Sequence, residues 1–233
     1  MKQKLQIVLL LAMAVAGIRL AWVFYERHQS AVQREKPQAP PLNPDYYVTP
    51  KKFYIDDLKS ARDLTKQPVW VKVGYVYPYY SYDPASRRAA LAHEAGKLLP
   101  IQKLAISDVI TQASASKPGE RLVLAVFKED GKAFAAPVGT EKSGHYWFYV
   151  NDMLYSQDPH ELYRHWPPEI WQAIDQHQVK LGMSELQVNF AIGIGLLESG
   201  GDSTDRTLDY PNGGMPLIVS YHSGKAIGIH PGS

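Results

Sequence analysis

The sequence predicts an α+β protein with an N-terminal single transmembrane helix, a proline-rich tether, a mainly antiparallel β domain and a small ααβββ domain. Three observations predict this order. A long apolar run covers residues 5–25, prolines cluster at residues 37–44, and strand-like segments then fill the chain up to two helical segments near the C-terminus. We therefore divide the chain into residues 1–28, 29–50, 51–157 and 158–233.

Composition sets the first limits. The chain has 233 residues, 45% hydrophobic and 21% charged, which is enough apolar material to bury a core without covalent cross-links. Its formal net charge of +2 comes from mixed signs, so we expect no nucleic-acid partner. Because the chain contains no cysteine, disulfides, thiolate metal sites, cysteine nucleophiles and a lipid-modified cysteine are excluded.

The apolar run at residues 5–25 predicts a membrane anchor. At about 1.5 Å per residue, a helix of this length crosses a hydrocarbon core of about 30 Å. Arg19 interrupts the run, but its guanidinium can reach the interface beside Trp22 and Tyr25, which resemble interfacial belt aromatics. The residues predicted to contact lipid are Leu5, Ile7, Leu10, Arg19, Trp22 and Tyr25.

A cleaved signal peptide is the alternative interpretation. Ala14, Val15 and Ala16 before Gly17 have the small-x-small form that signal peptidases prefer. Hydrophobicity continues past Gly17, which favours a retained signal anchor. In either case we expect an extracytoplasmic body. A retained anchor places the chain in a bacterial inner membrane as a single-pass protein, with its soluble domains in the periplasm or extracytoplasmic space. Lys2 and Lys4 stand against Arg27, Arg34 and Lys36, so the flanking charges barely favour one orientation.

The tether at residues 29–50 is predicted to be extended. Pro37, Pro40, Pro41 and Pro44 remove backbone donors and fix φ, which makes the segment semi-rigid. This segment is therefore expected to act as a spacer between the anchor and the folded domains.

Residues 51–157 are typical of short antiparallel strands. Val69, Val71 and Val73 alternate with polar or bulky neighbours, and Asp130 with Gly131 favours a tight hairpin. Strands are predicted at residues 67–77, 98–110 with a break at Pro100, 121–128, 133–138 and 146–150, and a short helix at residues 85–97. This pattern loosely resembles bacterial SH3-like modules.

Five tyrosines within eight residues form a candidate docking surface. Tyrosine offers an apolar ring with a hydrogen-bonding rim, so the cluster suggests a platform for a glycan, a peptide or a small ligand. An edge strand whose alternate tyrosines cap a barrel is the structural alternative. The residues are Tyr75, Tyr77, Tyr79, Tyr80 and Tyr82.

Residues 158–233 predict the order helix, helix, strand, strand, strand. Pro167 and Pro168 favour a helix start, and Ser184 with Gln187 has the spacing of a capping box for a second helix that ends at Gly193. Strands are then predicted at residues 206–210, 215–221 and 226–229.

This region resembles the small outer-membrane assembly lipoprotein fold (SmpA/OmlA, BamE-like). The resemblance lies in the segment QVKLGMSELQV at residues 178–188, in Ile192 with Gly193, and in the segment VSYHSGKAI at residues 219–227. Two features depart from the family: Ile194 stands where the family has proline, and the lipid-bearing cysteine is absent. The resemblance implies an envelope scaffold module.

The segment that joins the two domains forms a second candidate docking surface. Tyr163, Arg164 and Trp166 belong to residue types that are enriched at interface hot spots. The alternative is that the aromatic residues wedge the two domains together.

No catalytic constellation is predicted. His160, His165 and His177 are the densest possible metal ligands, but five-residue spacing does not place His160 and His165 on one helical face. Ser199 lacks the preceding glycine of a nucleophile elbow, which suggests an exposed loop.

We expect no catalytic residue, metal or cofactor, and a scaffold or accessory subunit that docks with membrane or envelope proteins. The alternative function is a cell-wall glycan or small-ligand binding module that uses the tyrosine cluster.

Overall fold

The structure, a computed structural model, describes residues 2–32, 42–199 and 205–232. It is a mixed α+β protein with mostly antiparallel sheets, as the sequence predicted. The chain divides into two compact units, Met1–Tyr46 and Tyr47–Ser233. We call the second unit the body.

The first unit contains one long helix, α1 (Lys2–Val32). The helix predicted over residues 5–25 is therefore confirmed as a helix. Among residues 2–32, 42–199 and 205–232, no helix combines the length and the apolar character needed to cross a membrane. Most of the tether prolines lie outside the described residues, and Pro44–Tyr47 form a 3-10 turn.

Short strands dominate the first part of the body. Helix α2 (Leu58–Ala61) precedes them and helix α3 (Val150–Met153) interrupts them near their end. The strands are β1 (Val69–Val71), β2 (Pro78–Asp83), β3 (Arg88–Ala89), β4 (Gly96–Lys97), β5 (Lys103–Leu104), β6 (Ile106–Ala113), β7 (Glu120–Glu129), β8 (Lys132–Lys142), β9 (His145–Phe148) and β10 (Leu154–Tyr155).

These strands form two antiparallel sheets. The smaller has the order β10-β1-β5, and the larger has the order β3-β2-β8-β7-β6, with β4 also on β2 and β9 also on β8. Asp130 and Gly131 have positive φ angles of 49° and 76°, so the predicted hairpin between β7 and β8 is confirmed. A first core of small and aliphatic side chains with Phe127 lies between the sheets.

The helix predicted at residues 85–97 is wrong. Those residues contain β3 and β4, and both strands pair with β2. The Gln112 side chain contacts both backbone groups of Ala89, accepting from its N–H at 2.7 Å and donating to its carbonyl oxygen at 2.8 Å. Backbone pairing with β2 thus outweighs the local helix propensity of this segment. The strand predicted at residues 67–77 is also shorter, since only Val69–Val71 is extended there.

The second part of the body contains three helices followed by a four-stranded sheet. The helices are α4 (Pro159–Leu162), α5 (Pro168–Asp175) and α6 (Glu185–Ile192). The strands are β11 (Leu196–Ser199), β12 (Arg206–Tyr210), β13 (Leu217–His222) and β14 (Lys225–Pro231), and all neighbours are antiparallel. No strand was predicted at β11, and its last residue, Ser199, was expected in an exposed loop.

The caps of α6 follow the predicted chemistry. The Ser184 hydroxyl accepts from the Gln187 N–H at 3.3 Å, and the Gln187 side-chain oxygen accepts from the Ser184 N–H at 2.8 Å. Gly193 then ends the helix with a φ of 86°. The capping box and the glycine stop are therefore confirmed.

A second core lies under the four-stranded sheet and takes residues from both parts of the body. It includes Trp166, Phe190 and Tyr210, and Trp70 from β1 packs against it. The body is thus one compact unit with two main cores. The boundary between residues 157 and 158 stays a prediction, as do the SH3-like and BamE-like resemblances.

Candidate docking surfaces

The structure distributes the five clustered tyrosines instead of placing them on one face. Tyr79 packs into the first core, with its ring centroid 5.8 Å from that of Phe127. Tyr80 and Tyr82 pack against a separate small core on the other side of the same strand. Alternate residues of a strand point to opposite faces, so these three side chains cannot form one platform.

Tyr75 and Tyr77 have structural surroundings of their own. Tyr77 stacks on Tyr149, with ring centroids 6.3 Å apart. Tyr75 has a φ of 62°, and Cβ atoms added at Gly193 and Gly213 would lie 3.1 Å and 2.6 Å from its ring. The Tyr75 ring therefore lies against two glycines of the second part of the body, and burial raises the pKa of its hydroxyl. This contact fastens the two parts of the body to each other.

The aromatic residues of the joining segment, Tyr163 and Trp166, are also buried in a core. Tyr163 and Trp166 are buried, with ring centroids 4.5 Å apart, and both meet the Phe190 ring edge to face at about 5 Å. Of the three residues named for this surface, only Arg164 is exposed. The geometry matches the wedge alternative for the two aromatic residues.

His160 lies at the rim of a shallow groove of about 560 Å³ that Arg164 and Trp171 also line. Its Nδ1 is 3.0 Å from an Asp158 carboxylate oxygen and its Nε2 is 3.1 Å from one of Asp175. Its ring stacks on Trp171 with centroids 4.1 Å apart. Because both ring nitrogens face carboxylates, His160 links α4 to α5 and offers no free nitrogen to a ligand.

The other reactive side chains that the sequence singled out lie apart. Among the described residues, no group of three or more potential ligands could hold a metal ion. His177 Nδ1 lies 2.9 Å from the Ala191 carbonyl oxygen. Ser199 ends strand β11.

Lys72 directly follows strand β1. It is half-buried, donates to the Asn151 carbonyl oxygen, and its Nζ lies 4.9 Å from the centre of the Tyr155 ring. Desolvation lowers the pKa of its amine, against the attraction of Asp152. The amine makes these contacts within the body, and this geometry supports a structural role at the junction of β1 and β10.

Strand β11 and the residues around it form an exposed apolar edge. Its two leucines, Leu196 and Leu197, are 60% and 64% exposed, and Ile194 just before them is 47% exposed. Met215, after the turn that follows β12, is 71% exposed. The sequence analysis missed this surface because β11 has only four residues and follows two glycines, a pattern typical of a loop.

Comparisons with protein-family models, with curated proteins and with solved structures find no match to this chain.

Proposed function

We propose that this chain is a non-catalytic docking subunit that α1 holds at a membrane and that presents the body to partner proteins of a bacterial envelope complex. The proposal places α1 in the inner membrane and the body in the periplasm. It includes the single-pass arrangement and the BamE-like scaffold role that the sequence suggests for the last part of the chain.

The exposure of α1 is the observation that carries the proposal. Every side chain from residue 13 to residue 28 is exposed, including the large apolar ones. Large apolar side chains exposed along a helix favour contact with lipid or with another protein. The large apolar side chains concerned are Met13, Val15, Ile18, Leu20, Trp22, Val23 and Phe24.

The polar residues of α1 agree with an interface at its C-terminal part. Trp22 Nε1 donates to a Glu26 carboxylate oxygen at 3.0 Å, so the indole nitrogen is satisfied beside a charged turn. Arg19 and Tyr25 lie on the same part of the helix, next to this turn. Aromatic and basic side chains at such a position favour the headgroup region of a bilayer.

Docking is favoured over ligand binding because of where the candidate groups lie. Four of the five clustered tyrosines pack on cores or on Tyr149, and the nitrogens of His160 are engaged by carboxylates. The exposed apolar edge at β11 remains as a surface that suits another protein. A glycan platform of tyrosines has no comparable support in the geometry.

The test is the size of the native assembly. We expect the full-length chain, extracted from membranes in a mild non-ionic detergent, to migrate as a defined complex well above its own 26.1 kDa. Cross-linking before extraction should trap the same partners. Recovery of the chain as a monomer after cross-linking in intact cells would contradict the docking role.

Topology has a clean test because the chain has no native cysteine. Single cysteines at Gln3 and at Tyr54, which is 91% exposed, can be labelled in intact cells with a membrane-impermeant maleimide. The proposal expects labelling at position 54 after permeabilising the outer membrane only, and at position 3 only after lysis. Equal labelling of both positions in permeabilised cells would overturn the single-pass arrangement.

A further inference from the structure

Strand β11 leaves one side of its backbone unpaired. It is the terminal strand in the order β11-β12-β13-β14, and it pairs through Leu196 with Asp209 and through Leu197 with Leu208. No strand among the described residues pairs with its other side. Unpaired N–H and C=O groups on an edge are a template for another strand.

The opposite edge of the same sheet is protected, which makes the exposure of β11 specific. The Gly182 N–H donates to the Ala226 carbonyl oxygen, and the Ala226 N–H donates to the Met183 carbonyl oxygen, both at 2.8 Å. Ser184 forms a bridge with Lys225, and β14 ends at Pro231. Lysine, proline, a covering segment, bulges and short strands are the usual edge protections; β11 contains neither lysine nor proline, but it is short and its pairing with β12 shifts register between Leu197 and Ser199.

The register of the sheet determines which side chains an added strand would meet. Leu197, Leu208 and Val219 are directly opposite one another and belong to the core-facing row. Leu208 and Val219 are buried, whereas Leu197 at the edge is 64% exposed. An apolar side chain opposite Leu197 would therefore extend the core row and cover it.

The outer row carries negative charge. Asp209 is directly opposite Leu196, and its buried Oδ1 has no hydrogen-bond partner among the described residues. Glu198 on β11 is exposed and lies at the register shift between Leu197 and Ser199. The cation on the neighbouring strand, Arg206, is bound to Glu185 and is not available to either acid. Basic side chains of an added strand would complement this row.

We propose that β11 accepts an extended segment of a partner protein as a fifth, antiparallel strand, and that this segment alternates apolar and basic residues. Apolar residues would continue the row of Leu197, and basic residues would lie near Asp209 and Glu198. This inference rests on the proposed docking function and names the surface and the chemistry of the partner. Pairing with β11 of a second copy would bring like charges of Glu198 and Asp209 together, so a partner of opposite charge fits better.

A model peptide tests the proposal directly. The probe is a fluorescent, end-blocked octapeptide of alternating valine and lysine, titrated by anisotropy against the full-length chain in non-ionic detergent. The first control peptide replaces lysine by glutamate, and the second keeps valine and lysine but carries N-methyl groups on alternate residues. Strand addition needs both the charge and the backbone hydrogen bonds, so only the unmodified peptide should bind.

Matched variants locate the site. Leu197→Lys should weaken peptide binding about tenfold or more, because it removes an apolar contact and adds a like charge. Ile227→Lys, at a residue that is 60% exposed on β14 of the same sheet, should leave binding unchanged. Circular dichroism and the unfolding midpoint of both variants show whether the sheet is intact, and Leu196→Lys serves as a second edge variant if Leu197→Lys is unstable.

Three results would overturn the inference. The N-methylated peptide could bind as tightly as the unmodified one, Leu197→Lys and Leu196→Lys could both bind normally, or Leu197→Lys could abolish a dimer of the chain while the peptide binds nowhere. The migration of the native membrane complex is measured separately on the unaltered chain, so failure at β11 is distinguishable from failure of the docking function.

Discussion

Two buried tyrosines make the body sensitive to alkaline pH. The hydroxyls of Tyr210 and Tyr221 lie 2.7 Å apart under the four-stranded sheet, and desolvation is the main reason that the pKa of each is raised above 10.0. Desolvation also raises the pKa of Tyr149 and of Tyr155. These four phenols are expected to stay protonated in the folded chain at a pH where the unfolded chain has lost those protons.

The sign of the effect follows from proton linkage. Above about pH 10 the native state binds more protons than the unfolded state, so the free energy of unfolding falls as pH rises. We expect urea unfolding midpoints to decrease between about pH 9 and about pH 11, with tyrosinate absorbance appearing together with unfolding. Tyr210→Phe should flatten this slope, whereas Tyr54→Phe, at a residue that is 91% exposed, should not. A slope that Tyr210→Phe leaves unchanged would contradict this explanation.

Residue-level chemistry could be predicted from the sequence where it is local. The Asp130–Gly131 turn and the capping box of Ser184 with Gln187 each lie within four residues, and the structure confirms both. The contact between Tyr210 and Tyr221 joins residues eleven apart on two strands, so it depends on register. Side-chain type alone does not fix register.

Among the elements, β3 and β4 show how pairing overrides local preference. Residues 85–97 contain several alanines and a glycine near the end, a sequence typical of a short helix. In the structure, however, they pair with β2. The physical cause of this error is not visible in the sequence. In the structure Gly96 lies directly against the Tyr79 ring, where it pairs with β2. Strand β11 was missed for a related reason, since its four residues become a strand only through pairing with β12.

Gly96→Ala tests the close packing of β4 on Tyr79. In β4 the added Cβ would lie 2.6 Å from the Tyr79 hydroxyl oxygen, and Tyr79 is held by Phe127 and Phe134. We therefore expect a loss of about 1–3 kcal/mol in the free energy of unfolding, measured by urea denaturation.

Gly228→Ala is the control for this substitution, because its added Cβ would lie no closer than 3.3 Å to another side chain. It should cost less than Gly96→Ala. A Gly96→Ala variant that is as stable as the unaltered chain would contradict the close contact between Gly96 and Tyr79.

On the scale of the whole molecule, the order of the elements can be predicted from hydropathy, whereas the packing of the interior cannot. The order of α1, a strand-rich part and a final helical and strand part follows from apolar runs and periodicity, which are properties of the sequence itself. The way in which Trp70 and Tyr155 join the core of the last part of the body does not, because it depends on contacts across the chain. The surfaces available for docking follow from that packing, which buries Tyr163 and Trp166 and leaves Leu196 and Leu197 of β11 exposed.

The anchor gives the last prediction. Val15→Asp with Leu20→Asp places two carboxylates on α1, at residues that are each 59% exposed. If lipid surrounds this helix, each charge costs about 2.5–3.5 kcal/mol near the helix centre, and the chain should leave the membrane fraction during alkaline carbonate extraction. The matched control places aspartates at Met215 and Ile227, which are 71% and 60% exposed on the body, and this variant should stay in the membrane fraction. Release of the control variant, or retention of the helix variant, would show that the body and not α1 holds the chain at the membrane.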